Sequence, residues 1–299
     1  MNRPKLILLC GIPGAGKTHY AKNYLTFQNN TVHLSSDAVR KELYGDENIQ
    51  GNPGEVFTLM QKRAVEALND GSNVLYDATN ITRKDRAGII GVCPKFTKIE
   101  YHIIWAPIEV CIQRDAERER IVGKEVIDRM LKRFQAPYYD EGIDDIYIEY
   151  SMKDFNSEEY LQNTLSAMKI PHDNSHHTLN IFDHCITAGK YVHEKKNGCD
   201  PIWLATALHD IGKPYVKSFV DSKGNPCEQA HYYQHQCVSA WMCYGMRDLF
   251  MWPWIVYPKV AWLISTHMES FFNSKYYKNL PPFLKKDIDL LHEADLAAH

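Results

Sequence analysis

Residues 5–27, KLILLCGIPGAGKTHYAKNYLTF, decide how the first half of the chain is read. Leu6 to Cys10 is a short apolar run, as expected of a strand buried on both faces. Gly11-Ile12-Pro13-Gly14-Ala15-Gly16-Lys17-Thr18 follows at once, and a helical pattern over 17–27 comes next. A GxxxxGK[ST] segment between a strand and a helix lets main-chain N–H groups converge on phosphate oxygens. Lys17 can then reach the β- and γ-phosphates and Thr18 can ligate Mg²⁺. Gly11, Gly14, Gly16, Lys17 and Thr18 are therefore expected to bind ATP or another nucleoside triphosphate.

Outward from this loop, strand and helix alternate. Strands are expected at 31–35, 73–77, 99–105 and 145–150. Helices are expected at 37–44, 55–70, 83–91, 108–120 and 123–135. This order implies a mostly parallel sheet covered on both faces. Ligand-facing residues in such sheets sit at strand exits. Asp37 lies at the second exit, with Arg40 one helical turn on. An Asp facing a γ-phosphate can orient a hydroxyl and accept its proton, and an Arg can hold a neighbouring phosphate. The alternative for Asp37 is a helix N-cap. Asp77, Asn80, Arg83 and Arg86 follow the next exit, and Asp77 could hold a Mg²⁺-bound water. Arg114 and Arg118 share a face at i, i+4 spacing and could close over a triphosphate; the alternative is a solvated charged face.

The phosphate loop, the Asp-x-x-Arg, the Asp-x-Thr-Asn segment and the arginine pair, in this order over residues 5–150, resemble the kinase domain of the polynucleotide 5′-kinases. The resemblance implies Asp37 as general base on a 5′-hydroxyl and Arg40 on the acceptor phosphate. It implies Arg114 and Arg118 as lid arginines, with Asp77, Asn80 and Arg86 toward the substrate. Asp115 departs from it, standing where many relatives carry Asn. Zeta-toxin-like and other small-molecule kinases share much of the pattern.

The second half has a different composition. Of 14 histidines, only His19, His33 and His102 precede residue 155. After that point strand patterns give way to helical ones at 177–196, 200–212, 230–246, 255–270 and 282–298, broken by Trp252-Pro253-Trp254 and Pro281-Pro282. The expected division is a domain at 1–154, a linker at 155–175 with a short helix from Glu158 to Met168 capped by Ser157, and an all-α domain at 176–299. Polar residues interrupt the apolar stripes: His177 and His184, seven apart; His209-Asp210 before Gly212; His231 and His235, four apart; His267; and Asp295. A satisfied core histidine is the alternative at each single position, but six on one helical domain point to a metal cluster.

The order His…His-Asp…His…His…Asp over 172–299 resembles the two-metal members of the HD phosphohydrolase superfamily. The resemblance implies His184, His209, Asp210, His235, His267 and Asp295 as ligands, with Asp210 bridging. His231 is the alternative to His235. It places His177 and Lys213 on the substrate phosphate. Imidazole and carboxylate ligands without thiolate suit Mn²⁺, Fe, Co²⁺, Ni²⁺ or Zn²⁺.

A 5′-kinase joined to such a hydrolase looks like an enzyme that heals broken nucleic-acid ends, RNA in preference to DNA. It would phosphorylate a 5′-OH and remove a 3′-terminal or 2′,3′-cyclic phosphate. No ligase-type lysine motif is present, so sealing would need a separate ligase. The alternatives are a nucleoside or nucleotide kinase fused to a nucleotidase, and a nucleotide-gated sensor. A net charge of −3 argues against a broad electrostatic grip on nucleic acid but allows a local basic channel. The 8 cysteines form no CxxC pair, and no apolar run reaches the roughly 18 residues of a membrane span. A cytoplasmic protein without a signal peptide is expected.

Overall fold

The computed structural model describes residues 3–175, 178–196, 200–250 and 256–298. The chain divides into two compact units, residues 1–130 with 137–155, and residues 131–136 with 156–299.

In the first unit β1 (Lys5–Cys10), β2 (Thr31–Ser35), β3 (Asn73–Asp77), β4 (Lys98–Trp105) and β5 (Asp145–Tyr150) form one sheet in the order β2-β3-β1-β4-β5. Every pairing is parallel. Leu6 to Leu9 are fully buried on both faces, which is why β1 carries no polar alternation. Its helices are α1 (Lys17–Phe27), α2 (Ser36–Tyr44), α3 (Pro53–Asn69), α4 (Arg83–Ile90), α5 (Ile108–Glu117) and α6 (Lys124–Leu131). The chain winds from β1 to one side and later crosses to the other, so the exits of β1, β2 and β3 gather at one crevice.

Helix α5 stops at Glu117, short of the expected 120, and Arg118 is extended. The buried Asp115 carboxylate explains the stop: it accepts the N–H groups of Val122 at 3.1 Å and Gly123 at 2.8 Å, folding the chain back. Helix α6 likewise ends at Leu131 rather than 135, where residues 131–136 pass to the second unit.

The second unit holds α7 (Ser157–Ala167), α8 (Ile181–Lys196), α9 (Pro201–Leu208), α10 (Lys213–Val216), α11 (His235–Cys243), α12 (Val256–Phe271), α13 (Lys275–Asn279) and α14 (Pro282–Ala297). Helix α12 packs against α9, α11 and α14. Its Trp262, Leu263 and Ile264 are fully buried, each worth about 1.5–3 kcal/mol relative to exposure. The unit is helical but not all-α. β6 (Ser218–Val220) and β7 (Pro226–His231) form an antiparallel ribbon. The Asp221 carboxylate closes its turn by accepting the N–H groups of Lys223 and Asn225, each at 2.8 Å. The ribbon replaces the start of the helix expected at 230–246. Residues 156–175 belong to this unit, and α7 is capped by Asn156, which accepts from Glu158 and Glu159 at 3.1 Å, not by Ser157. Among the described residues the cysteines are free thiols, and no helix is long and apolar enough to cross a membrane.

Candidate active site and candidate metal centre

The loop after β1 is shaped by what touches it. Gly14 has φ +79°, and a Cβ there would lie 2.1 Å from the Cys111 carbonyl oxygen, so only glycine fits. Lys17 Nζ donates to the carbonyls of Gly11 at 2.6 Å and Ile12 at 3.3 Å, folded over its own loop. Burial lowers the Lys17 pKa from its ordinary value, and the nearby Asp77 opposes that. Asp77, at the exit of β3, is buried and meets His33 Nε2 at 3.3 Å.

Asp37 is not the cap of α2. Ser35 is, accepting from Ala38 N at 3.5 Å. The Asp37 carboxylate therefore faces outward. Its Oδ1 accepts from Arg40 Nη1 at 2.8 Å and from Arg120 Nη1 at 2.7 Å. Arg118, expected beside Arg114, instead pairs with Asp115. Arg114 holds the loop's edge: it donates to Ser151 Oγ at 2.8 Å, Ser151 O at 3.2 Å and Gly14 O at 3.5 Å. Arg120 and Ser151 escaped the sequence reading. Arg120 sits in the same arginine-rich run, but helical periodicity favoured Arg118; Ser151 carried no signal.

Two expected substrate residues are built into the frame. Asn80 is buried and donates to Leu9 O at 2.7 Å, fastening the turn after β3 to β1. Arg86 is fully buried and makes a two-pronged ion pair with Glu141 at 2.6 Å on each arm. It also donates to Asn80 O at 3.2 Å. Neither side chain reaches the crevice surface.

In the second unit, His184 (α8), His209 and Asp210 (after α9), His235 (start of α11), His267 (α12) and Asp295 (α14) converge. His184, His209 and Asp210 form one group of ligand atoms within 4.8 Å of one another, and Asp210, His235 and His267 form another. Asp295 Oδ1 adds to the first, 2.9 Å from His184 Nε2 and 3.3 Å from His209 Nε2. Asp210 thus belongs to both groups. Gly212 makes the convergence possible. A Cβ there would lie 2.6 Å from Ser239 N and 2.9 Å from His235 O, so glycine lets α11 approach.

All four ligand-group histidines are oriented the same way. Nδ1 faces a main-chain carbonyl in each: Ala298 at 3.0 Å for His184, Thr206 at 2.6 Å for His209, Tyr232 at 2.9 Å for His235 and Ile264 at 2.7 Å for His267. A carbonyl can only accept, so each Nδ1 carries a proton and each Nε2 is turned inward. Yet His184 and His209 bring their Nε2 atoms to 3.3 Å, and His235 and His267 to 3.2 Å. Two facing lone pairs repel unless a ring is made cationic or a cation lies between them. Neither oxygen of the buried Asp210 accepts a hydrogen bond of good geometry, although Lys213 Nζ lies 2.5 Å from Oδ2. Inward imidazoles held by main-chain carbonyls, around a shared carboxylate, fit divalent transition metals.

The electrostatics agree with tight coupling. Against the cost of burial, His209 and Lys213 hold Asp210 well below the ordinary carboxylate range. Burial, with His235 and His209 nearby, pushes His267 down to about 3.

Lys213 also meets His172 Nε2 at 3.3 Å. His172 is buried, and burial with the Lys213 charge pushes it down to about 4. It follows Pro171 outside any helical stripe, so periodicity could not point to it. His231 ends β7, stacked on Tyr233 at 5.2 Å, and joins neither ligand group. His177, Trp252 and Trp254 lie outside the described residues. Tyr276 accepts from Trp262 Nε1 at 2.9 Å and Tyr277 donates to Asp289 at 2.6 Å, so both hydroxyls serve packing.

Comparison with known proteins bears on the first unit. Residues 6–137 match a family model described as an AAA domain. The chain is 27% identical over 166 residues to the L-seryl-tRNA(Sec) kinase of Methanococcus maripaludis, covering 50% of this chain and 62% of that protein. It is 25% identical over 170 residues to the Arabidopsis thaliana transcription factor bHLH140, covering 54% of this chain and 18% of that protein. The chain thus spans less than two thirds of either relative. Among solved structures it is similar to a chain of the Pnkp1/Rnl/Hen1 RNA repair complex, at 23% identity and TM-score 0.40, covering 44% of each chain. A second structure of that complex matches at 24% identity and TM-score 0.35, covering 38% of this chain and 40% of the other. The first unit has a kinase-type phosphotransferase fold.

Proposed function

We propose that the protein is a two-site enzyme acting on nucleic-acid ends: an ATP-dependent 5′-hydroxyl kinase joined to a metal-dependent phosphohydrolase of HD type, with RNA as the favoured substrate. The observation that carries the kinase half is the Asp37 carboxylate beside Arg40 and Arg120, near the strand exits that also hold the phosphate loop. Both guanidiniums engage Oδ1, which leaves Oδ2 to take the proton of an attacking hydroxyl. As the hydroxyl oxygen bonds to the γ-phosphorus, the bond from that phosphorus to the β–γ bridging oxygen breaks and ADP leaves. Lys17 and Arg114 offset the charge that builds on the transferring group, and Thr18 and Asp77 would hold Mg²⁺ directly or through water. The seryl-tRNA kinase likeness supports a hydroxyl acceptor on an RNA.

The hydrolytic half rests on Asp210 shared by two histidine pairs. His184, His209, Asp210 and Asp295 would hold one cation, and Asp210, His235 and His267 a second. Bound there, divalent cations supply Lewis acidity and a water that ionises near neutral pH. The buried Lys213, beside Asp210, would meet the substrate phosphate, and His172, neutral at pH 7, is placed to steer it. The substrate is a 3′-terminal or 2′,3′-cyclic phosphate.

The test uses labelled ATP, Mg²⁺ or Mn²⁺, and oligonucleotides with 5′-OH and 2′,3′-cyclic phosphate ends. Asp37→Asn should cut 5′ phosphorylation by roughly 10²–10⁴-fold and leave the 3′ end reaction intact. Asp210→Asn should do the reverse. Turnover of mononucleosides with no benefit from a longer strand would favour a small-molecule enzyme, and no change at either end sinks the proposal.

A further inference from the structure

We infer that the surface made by the end of α12, by α13 and by the first turn of α14 is a docking platform for single-stranded nucleic acid. Its occupant follows from the proposed action on strand ends, on which this reading rests. Phe271, Phe272 and Phe283 are 61%, 67% and 66% exposed. Burying a phenylalanine is favourable by about 1.5–3 kcal/mol, so three exposed in one short stretch mark a surface that is covered in use. Phe271 and Phe272 present their rings edge to face at 5.1 Å.

The charge around these rings selects the partner. Residues 271–286 contain Lys275, Lys278, Lys285 and Lys286 and no acidic residue, on a chain of net charge −3. Lys285 Nζ donates to Lys278 O at 2.7 Å. Among the described residues Lys275, Lys278 and Lys286 have no acidic partner within ion-pair distance. Lysine is depleted in protein–protein interfaces, whereas ammonium groups without acidic partners in the same stretch as exposed rings match phosphates and bases. The platform also leads to the metal centre. Phe271 lies one turn beyond His267 in α12, and its ring is 6.1 Å from that of His292, one turn before Asp295 in α14. A strand stacked on the phenylalanines would have its terminus delivered toward the ligand cluster.

The experiment is fluorescence anisotropy with the full chain and a labelled oligouridylate of about twelve nucleotides, a length matched to single-strand sites. Its 5′-phosphate and 3′-hydroxyl ends give neither site a reaction. The double variant Phe271→Ala with Phe272→Ala should weaken binding at least about tenfold. Lys275→Ala with Lys278→Ala should reduce the slope of log K against log salt by about 0.7 for each lysine. Unchanged thermal melting shows that these surface variants fold. Strand binding equal to the parent's in both variants overturns the platform. So does lost self-association in light scattering with strand binding intact, which would make the patch a protein interface. Hydrolysis of oligouridylates ending in a 3′-phosphate or a 2′,3′-cyclic phosphate, run beside the binding assay, separates the two readings. If the parent hydrolyses nothing but binding falls as expected, the hydrolase reading fails and the platform stands. If the parent hydrolyses and the variants bind normally, the platform alone fails.

Discussion

Asp37 and Glu100 show how one carboxylate is used in two ways within the same unit. Asp37 is half-exposed, and its arginine partners leave one oxygen for chemistry. Glu100 is buried at 2% exposure and meets two lysines, Lys5 at 2.9 Å and Lys98 at 3.0 Å, with the His102 ring at 3.7 Å. Burial alone would raise its carboxyl, but His102, Lys5 and Lys98 hold it at about 2, below its ordinary 4.5. A depressed carboxyl stabilises the fold above its unfolded pKa and loses that contribution as the pH falls through its folded pKa. Glu100→Gln is therefore expected to destabilise the first unit by on the order of 2 kcal/mol at pH 7. The difference from the parent should shrink between pH 4.5 and about 2. Urea unfolding across that range measures it, and a gap that does not narrow in acid would remove the ion cluster as the cause.

At the scale of elements, the convergence of the proposed metal ligands depends on how closely α11 lies to the turn after α9. Gly212 sits at that contact, and its N–H donates to Ser239 Oγ at 2.9 Å. Gly212→Ala puts a methyl against main-chain atoms at 2.6 and 2.9 Å and Ser239 Oγ at 2.9 Å, and rotating the serine would not relieve the main-chain clashes. Overpacking of this kind costs about 1–3 kcal/mol. It would also move His235, whose carbonyl is one of the clashing atoms. The variant should melt lower and bind fewer Mn²⁺ per chain by calorimetric titration. Full metal stoichiometry would show that α11 tolerates the shift. Asp115 ends α5 early by gathering the N–H groups of the following loop, which releases Arg120 toward Asp37.

For the whole molecule, two compact units with the separate ligands proposed above should respond separately to them. A ligand that binds only the folded state stabilises by RT ln(1 + [L]/Kd), about 2.7 kcal/mol at a hundredfold excess over Kd. In differential scanning calorimetry, Mg²⁺ with a non-hydrolysable ATP analogue should raise one transition and Mn²⁺ alone the other. Movement of both transitions with either ligand would contradict separate sites. By itself the sequence determined the parallel α/β class of the first half, the phosphate loop, Asp37 with Arg40, and the polar residues His184, His209, Asp210 and His267 that break the apolar stripes of the second. Those features are written in local spacing, which period-2 and period-3.6 patterns and short motifs record directly. The tertiary structure alone decided that Arg120 rather than Arg118 joins Asp37, and that Asn80 and Arg86 are framework. It also decided that His235 rather than His231 faces Asp210, that a ribbon interrupts the helical unit, and that His172 stands beside Lys213. Each depends on contacts between residues distant in the chain, such as Arg86 with Glu141, or on a loop closed by a buried carboxylate, and no local pattern encodes such pairings.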